Sequence, residues 1–372
     1  MAKSKLTIVV GTRPEIIRLS VIISKLSESF NVRIIYTRQN YDPALSQIFF
    51  DELRIRTPDK ILNLGSNSLG SFVGNLLVQI EKDLIEFPPD GFLVLGDTNS
   101  ALSALIAKRM FIPIYHLEAG NRSFDQNVPE EINRRIIDHF SDFNLAYSEL
   151  SRTNLLREGL HPRNIYVIGS PLFEVFNYYS KEIADSRVLS ELGLIPKEFF
   201  LFSSHRQENM DSPERFLNLM QTLNLIAEKY QLRIIVTTHP RLRNELKENK
   251  LGLNPLIQFC EPFGFFDYIK LQTNARLVIS DSGSLAEESA ILNFPGITIR
   301  DSMERPEALE SGVLILSGTN PYDVLEAIAV SEQSQKSLSP PSDYFIPDTS
   351  NRVIRIISST IKQHSFWSGV RD

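Results

Sequence analysis

A single cysteine, Cys260, is all the sequence carries, which excludes an internal disulfide and any zinc site built from cysteines. No apolar run approaches the length of a membrane span, and the opening MAKSKLTIVVGTR passes straight into a strand pattern without a leader-like apolar region. The expectation is a cytoplasmic protein with no membrane insertion. Positive charge is in short supply too, with 39 Lys and Arg against 45 Asp and Glu, a net charge of −6. That balance argues against nucleic acid as a partner. An anionic ligand must then be met by a local cluster of arginines and histidines, not by the global field. There is no GxxxxGK[ST] loop, so a P-loop ATPase is excluded. There is no HExxH pair either, and the histidines fall in separate loops, so no metal site is expected.

What is present is an ordinary globular composition, 42% hydrophobic and 23% charged, over 372 residues. That length exceeds one ordinary core, and two domains are the default. Short apolar runs rich in branched side chains alternate with helical patterns: LTIVV (6–10), VRIIYT (32–37), FLVLG (92–96), IPIYHL (112–117) and FNLAYS (143–148). The series restarts after IYVIGSP with FFLFSS (199–204), LRIIVTT (232–238), LIQFC (256–260), ARLVIS (275–280) and ITIR (297–300). Continuous apolar strands separated by helices indicate parallel sheets covered on both faces. The fold class is therefore α/β, two Rossmann-like doubly wound domains facing a central cleft. The first spans 1–170 and the second 171–349, with a last helix and tail over 350–372.

In such sheets ligands collect at the carboxyl ends of the strands. Six strand ends here run into polar, chemically capable residues: GTRPE, GDTNS, Glu118, HRQEN, HPR and DSGSLAEES. GTRPEIIRLS places Arg13 at a helix mouth and Arg18 one turn in, an arrangement suited to an anion or to a plain strand–turn–helix junction. Ser282, Gly283 and Ser284 open a helix and offer N–H groups and hydroxyls to a phosphate, and Glu288 suits a ribose diol. Ser284 with Glu287 also fits a capping box. His205 and His239 each end an apolar strand, where a histidine is available as proton donor or phosphate partner. Asp97, Glu118 and Glu130 form a candidate acid–base group, because carboxylates sharing a cleft raise one another's pKa. Asp97 also reads as a helix cap, and Glu130 with Glu131 as charges placed on a helix N-terminus after Pro129. Arg305, in RDSMERPEALESG, reads as a phosphate clamp or as part of a surface charge ladder.

Taken in order, GTRPE, GDTNS, HLEAG, VPEEINRR, the strand-end HR, THPR, DSGSLAEE and ERPEALESG resemble the non-hydrolysing UDP-N-acetylglucosamine 2-epimerase family over residues 6 to about 318. GTRPEIIRLS, QNYD, GDTNS, EAGNRSFDQNVPEE and PFGFFDYIKLQ are also similar to one branch of it. That branch acts on UDP-2-acetamido-2,6-dideoxy-L-talose and makes UDP-N-acetyl-L-fucosamine for capsule or O-antigen. The resemblance implies a glycosyltransferase-B-like pair of domains with the last helix returning to the first, a homodimer, and C2 epimerisation with neither cofactor nor metal. It assigns Asp97, Glu118, Glu130 and His205 to catalysis. It assigns Arg13, Arg18, His239, Phe263, Tyr268, Ser282, Gly283, Ser284, Glu288 and Arg305 to the UDP-sugar, Phe263 through its backbone. The alternatives are a UDP-N-acetylglucosamine/UDP-N-acetylmannosamine 2-epimerase and a glycosyltransferase on the same scaffold.

Overall fold

A computed structural model describes residues 3–39, 43–65, 68–204, 212–237, 252–333 and 339–370. The chain divides into two compact units, Met1–Tyr178 with Ser342–Asp372, and Tyr179–Pro341. The sequence reading places those divisions at 170/171 and 349/350.

The first unit holds seven parallel strands: β1 (Lys5–Val10), β2 (Asn31–Tyr36), β3 (Lys60–Ile61), β4 (Gly91–Leu95), β5 (Ile114–Leu117), β6 (Phe143–Ala146) and β7 (Ile165–Val167). Their order is β3-β2-β1-β4-β5-β6-β7, so the winding reverses between β1 and β4. In register, Leu6 faces Val32 on one side and Gly91 on the other. These strands are apolar on both faces because helices cover both. On one face Val9, Ile35, Val94 and Ile114 pack with Leu76, Ile80 and Leu84 of the helix Leu69–Glu86.

The second unit repeats the design with β8 (Phe199–Ser203), β9 (Arg233–Thr237), β10 (Ile257–Cys260), β11 (Leu277–Ser280), β12 (Gly296–Thr298) and β13 (Leu314–Leu316). The order is β10-β9-β8-β11-β12-β13, with the reversal between β8 and β11. Phe200, Phe202, Val236 and Ile279 pack against Leu219, Leu223 and Ile226 of the helix Pro213–Tyr230. Leu201, Ile235 and Val278 pack on the other face with Leu271 and Leu285.

The C-terminal helix Thr349–Thr360 returns to the first unit, as the resemblance implies. Buried polar contacts hold this segment. The Glu174 carboxylate accepts from Ser350 N at 2.8 Å and from Lys25 Nζ at 2.6 Å, tying three helices together. Tyr115 and Thr360 share a hydroxyl hydrogen bond of 2.8 Å. His364 Nε2 lies 3.0 Å from Asp142 Oδ1. Burial alone would push the Asp142 carboxyl up, but hydrogen bonds from His364 and Lys108 outweigh it and hold its pKa below the ordinary value. Among the described residues no helix is long and apolar enough to cross a membrane.

Candidate active site

The reversal between β1 and β4 brings GTRPE and GDTNS side by side. A methyl group at Gly11 would overlap the hydroxyl oxygens of Ser100 and Thr37, so only glycine permits this close approach. Ser100 in turn donates to Gln39 Oε1 through Oγ (2.9 Å) and N (3.1 Å), which brings the end of β2 into the same cluster. Thr12 caps the helix Arg13–Ser29 in a capping box with Glu15. The Glu15 carboxylate accepts from Gly11 N, from Thr12 N at 3.1 Å and from Thr98 Oγ1 at 2.5 Å. Arg13 stands half-buried at the helix mouth, its guanidinium 5.7 Å from the Phe49 ring centroid.

Burial pushes the Glu15 carboxyl from its ordinary 4.5 up to about 7, against the pull of its three donors. An acid whose folded pKa is raised favours the protonated fold. Stability is therefore highest below about pH 4.5 on this account, and falls as pH rises through 7. The loss approaches roughly 3 kcal/mol for a shift of this size. Glu15→Gln removes the titration, so its urea-unfolding free energy relative to wild type should rise between pH 5 and pH 8. A constant difference across that range would show that Glu15 does not titrate there.

Two of the three candidate acids face this junction. Asp97 does not cap a helix; its Oδ2 accepts from Arg134 Nη2 at 2.6 Å and Nε at 3.1 Å. Asn133 Nδ2 holds the Asp97 carbonyl at 3.0 Å. Glu118 ends β5 with a left-handed backbone (φ 67°), a conformation costing about 1 kcal/mol for a side chain with a Cβ. That turn lays its carboxylate over Gly96, 3.9 Å from where a Cβ there would sit, and 3.6 Å from Arg18 Nη1. Arg18, matched by resemblance to a nucleotide contact, thus lies beside a candidate proton carrier.

The Glu130–Glu131 pair splits in role. Val128 caps the helix Pro129–Phe140 and both glutamates occupy its first turn, as the proline pattern indicates. Glu131 is buried and committed: it accepts from Ser123 N at 2.9 Å and from Arg134 Nη1 at 2.6 Å. Despite burial, the Ser123 amide and Arg134 hold its pKa below the ordinary value. Glu130 is half-buried and its side chain has no hydrogen-bond or ion-pair partner among the described residues. It is the member of the pair left available to a ligand.

Beneath Glu118 lies a buried charge network. The side chains of His116, Arg122 and Asp138 are fully buried. Asp138 faces Arg122 Nη1 at 2.7 Å, His116 Nδ1 at 2.9 Å and the Gly120 N–H at 3.2 Å. His116 Nε2 lies 2.9 Å from the Gly96 carbonyl oxygen, and Arg122 Nη2 is 2.5 Å from Glu158. His116 therefore connects the turn carrying Asp97 to the turn carrying Glu118.

In the second unit the turn after β11 opens the helix Leu285–Leu292. The capping box expected of Ser284 and Glu287 does not form. Ser284 Oγ donates instead to Glu288 Oε1 at 2.7 Å, and Ser282 and Ser284 share a 2.9 Å contact. Gln272 Nε2 holds the other Glu288 oxygen at 2.6 Å, so the side chain stands oriented on the Ser284 side of its helix. Glu287 goes to Arg305 Nε at 2.9 Å. Arg305 also donates to the Gly283 carbonyl at 3.0 Å and to Glu304 at 2.8 Å, while Arg300 pairs with Glu304 at 2.7 Å. All four charged side chains are buried, so this is a buttress under the turn and not a surface ladder. Tyr268 OH donates to Ser203 Oγ at 3.1 Å, and Phe263 sits half-buried before the helix Phe265–Asn274. His205 and His239 lie outside the described residues. Among the described residues no group of three or more His, Cys, Asp or Glu is arranged to hold a metal.

Sequence reasoning did not single out Glu15, Arg134, Asp138 or Gln272. Each acts through a partner 16 or more positions away or across a strand order that only the fold supplies.

Known proteins are similar to this one along nearly the whole chain. A family model described as UDP-N-acetylglucosamine 2-epimerase matches residues 24–358. A UDP-N-acetylglucosamine 2-epimerase of Methanocaldococcus jannaschii is 39% identical over 364 residues, covering 95% of this chain and 99% of that protein. The structure of a UDP-N-acetylglucosamine 2-epimerase from Rickettsia bellii superposes with a TM-score of 0.90 at 38% identity, covering 98% of each chain. A Methanocaldococcus jannaschii UDP-GlcNAc 2-epimerase in complex with UDP-GlcNAc and UDP superposes with a TM-score of 0.89 at 38% identity, covering 95% of this chain and 99% of that one.

Proposed function

The chain belongs to the UDP-N-acetylglucosamine 2-epimerase family, and from that premise we propose that it interconverts UDP-2-acetamido-2,6-dideoxy-L-talose and UDP-N-acetyl-L-fucosamine. It is an isomerase, a UDP-sugar 2-epimerase of the non-hydrolysing type. The C2–H bond of such a sugar has no adjacent carbonyl to acidify it. Elimination solves the problem: the C2 proton passes to a protein base as the C1–O bond to UDP breaks, leaving a 2-acetamidoglycal and free UDP. UDP then adds back at C1 while C2 takes a proton on its opposite face. The sequence is redox-neutral and needs no nicotinamide.

One observation carries this reading. Glu118 lies over Gly96 beside Arg18, the next residue Asp97 is held by Arg134, and the helix that supplies Arg134 presents an unengaged Glu130. Two faces of one carbon need separately placed proton carriers, and a transferase with a single general base would leave this group unexplained. The resemblance assigns His205 to catalysis as well. In the second unit Ser282–Ser284 and Glu288 take the UDP, with Tyr268 near the base, and the resemblance assigns Arg305, His239 and the Phe263 backbone to the same nucleotide. The resemblance assigns Arg13 to the diphosphate as well. On the same reading the enzyme works in the cytoplasm as a homodimer and serves capsule or O-antigen synthesis.

The second reading keeps the chemistry and changes the sugar to UDP-N-acetylglucosamine, and the names carried by the relatives favour it. QNYD and EAGNRSFDQNVPEE favour the first. Proton NMR in D2O decides between them, with the enzyme incubated separately with UDP-N-acetyl-L-fucosamine and UDP-N-acetylglucosamine. Deuterium should enter C2 of the fucosamine compound alone. Entry into the glucosamine compound alone selects the second reading, and exchange in neither overturns both.

The nucleotide cradle has its own test. A methyl group at Gly283 would overlap Glu304 Oε1 and sit 3.1 Å from Arg305 Nη1. Gly283→Ala should therefore displace the buttress and weaken UDP binding roughly tenfold by calorimetry. An unchanged dissociation constant would remove the turn from the nucleotide site.

A further inference from the structure

We propose that Glu15 is a positioning residue that sets the Asp97 turn and the Arg13 turn on one buried anchor. This rests on the epimerase reading and adds to it a residue that touches no substrate. A capping box alone needs only the helix N-terminus, and Glu15 satisfies that by accepting from Gly11 N and Thr12 N. The third bond is of another kind. Thr98 Oγ1, 83 positions on and directly after Asp97, donates to the other carboxyl oxygen at 2.5 Å. One carboxyl thereby joins the exits of β1 and β4, the two strands that flank the reversal of the sheet. It is 2% exposed, so no water substitutes for a lost partner. The two amides, which can only donate, both use Oε2. The hydroxyl, which can donate or accept, uses Oε1. Glutamine reproduces this pattern, its carbonyl accepting from the amides and its NH2 donating to Thr98.

That difference separates three variants. Thr98→Val cuts only the link to Asp97, and should lower kcat roughly 100-fold at unchanged UDP affinity. Glu15→Ala cuts both links and should lower kcat equally while weakening UDP binding several-fold. Glu15→Gln should restore both values to near wild type. Turnover is followed with whichever of the two UDP-sugars the wild type exchanges, and UDP affinity by calorimetry. Amide hydrogen exchange across residues 96–100 is measured in parallel and should accelerate in Thr98→Val and Glu15→Ala but not in Glu15→Gln. Wild-type turnover in Thr98→Val, or unchanged exchange across 96–100 in both disruptive variants, overturns the proposal. Wild-type protein that epimerises neither sugar overturns the epimerase reading instead, and the exchange measurement then still decides the role of Glu15.

Discussion

Glu118→Gln should lower kcat at least a hundredfold and leave the UDP dissociation constant within about twofold of wild type. Glutamine has the volume and shape of the carboxylate, so the left-handed turn at φ 67° and the approach to Gly96 survive. What is lost is the ability to take or return a proton, which matters only as the C2–H bond breaks or forms. An interaction made in the transition state and absent from the ground state lowers kcat without lowering affinity. Asp97→Asn should show the same split with a further loss, because Arg134 binds Asp97 through two nitrogens and an amide answers only part of that charge. Steady-state turnover and UDP calorimetry on the same preparations check both. Unchanged turnover in either variant removes that residue from proton transfer, and a parallel collapse of UDP affinity makes it a binding residue.

The strand ends were the legible part of this molecule. Apolar runs at 6–10, 92–96, 199–204 and 275–280 fall on β1, β4, β8 and β11, and those four strands flank the two sheet reversals. The residues that follow them are where the polar chemistry collects. The strands that escaped, β3, β7 and β13, are partly exposed edge strands of two or three residues, whereas the equally short β12 lies inside its sheet and is wholly buried. Pairings were not legible, for a different reason. Arg134 reads as one of three arginines in a charged segment until β4 and the helix Pro129–Phe140 lie together and put it on Asp97. Ser284 and Glu287 have the spacing of a capping box. The fold gives Glu287 to the buried Arg305 instead, and Ser284 turns to Glu288. Local spacing gives candidates, and burial decides which of them is used.

The second large effect should come from a residue that does no chemistry. Asp138→Ala leaves Arg122 and His116 facing a void where a carboxylate stood, with the side chains of all three fully buried in the native protein. Breaking a buried charge network from one side costs about 3–5 kcal/mol, here toward the lower figure because Arg122 keeps Glu158. The melting temperature should drop on the order of 10 °C. The same carboxylate holds the Gly120 N–H, two residues beyond Glu118, so activity measured well below the new melting point should fall as well. Replacing both charges by apolar side chains, Asp138→Leu with Arg122→Met, should recover much of the stability, since neither charge is then stranded. It should not recover the activity, because Gly120 still lacks its acceptor and the strained turn at Glu118 loses the contact that defines it. Recovery of both together would show that the network serves stability alone. Recovery of stability without turnover would show that the buried charges are kept for the geometry of the loop above them.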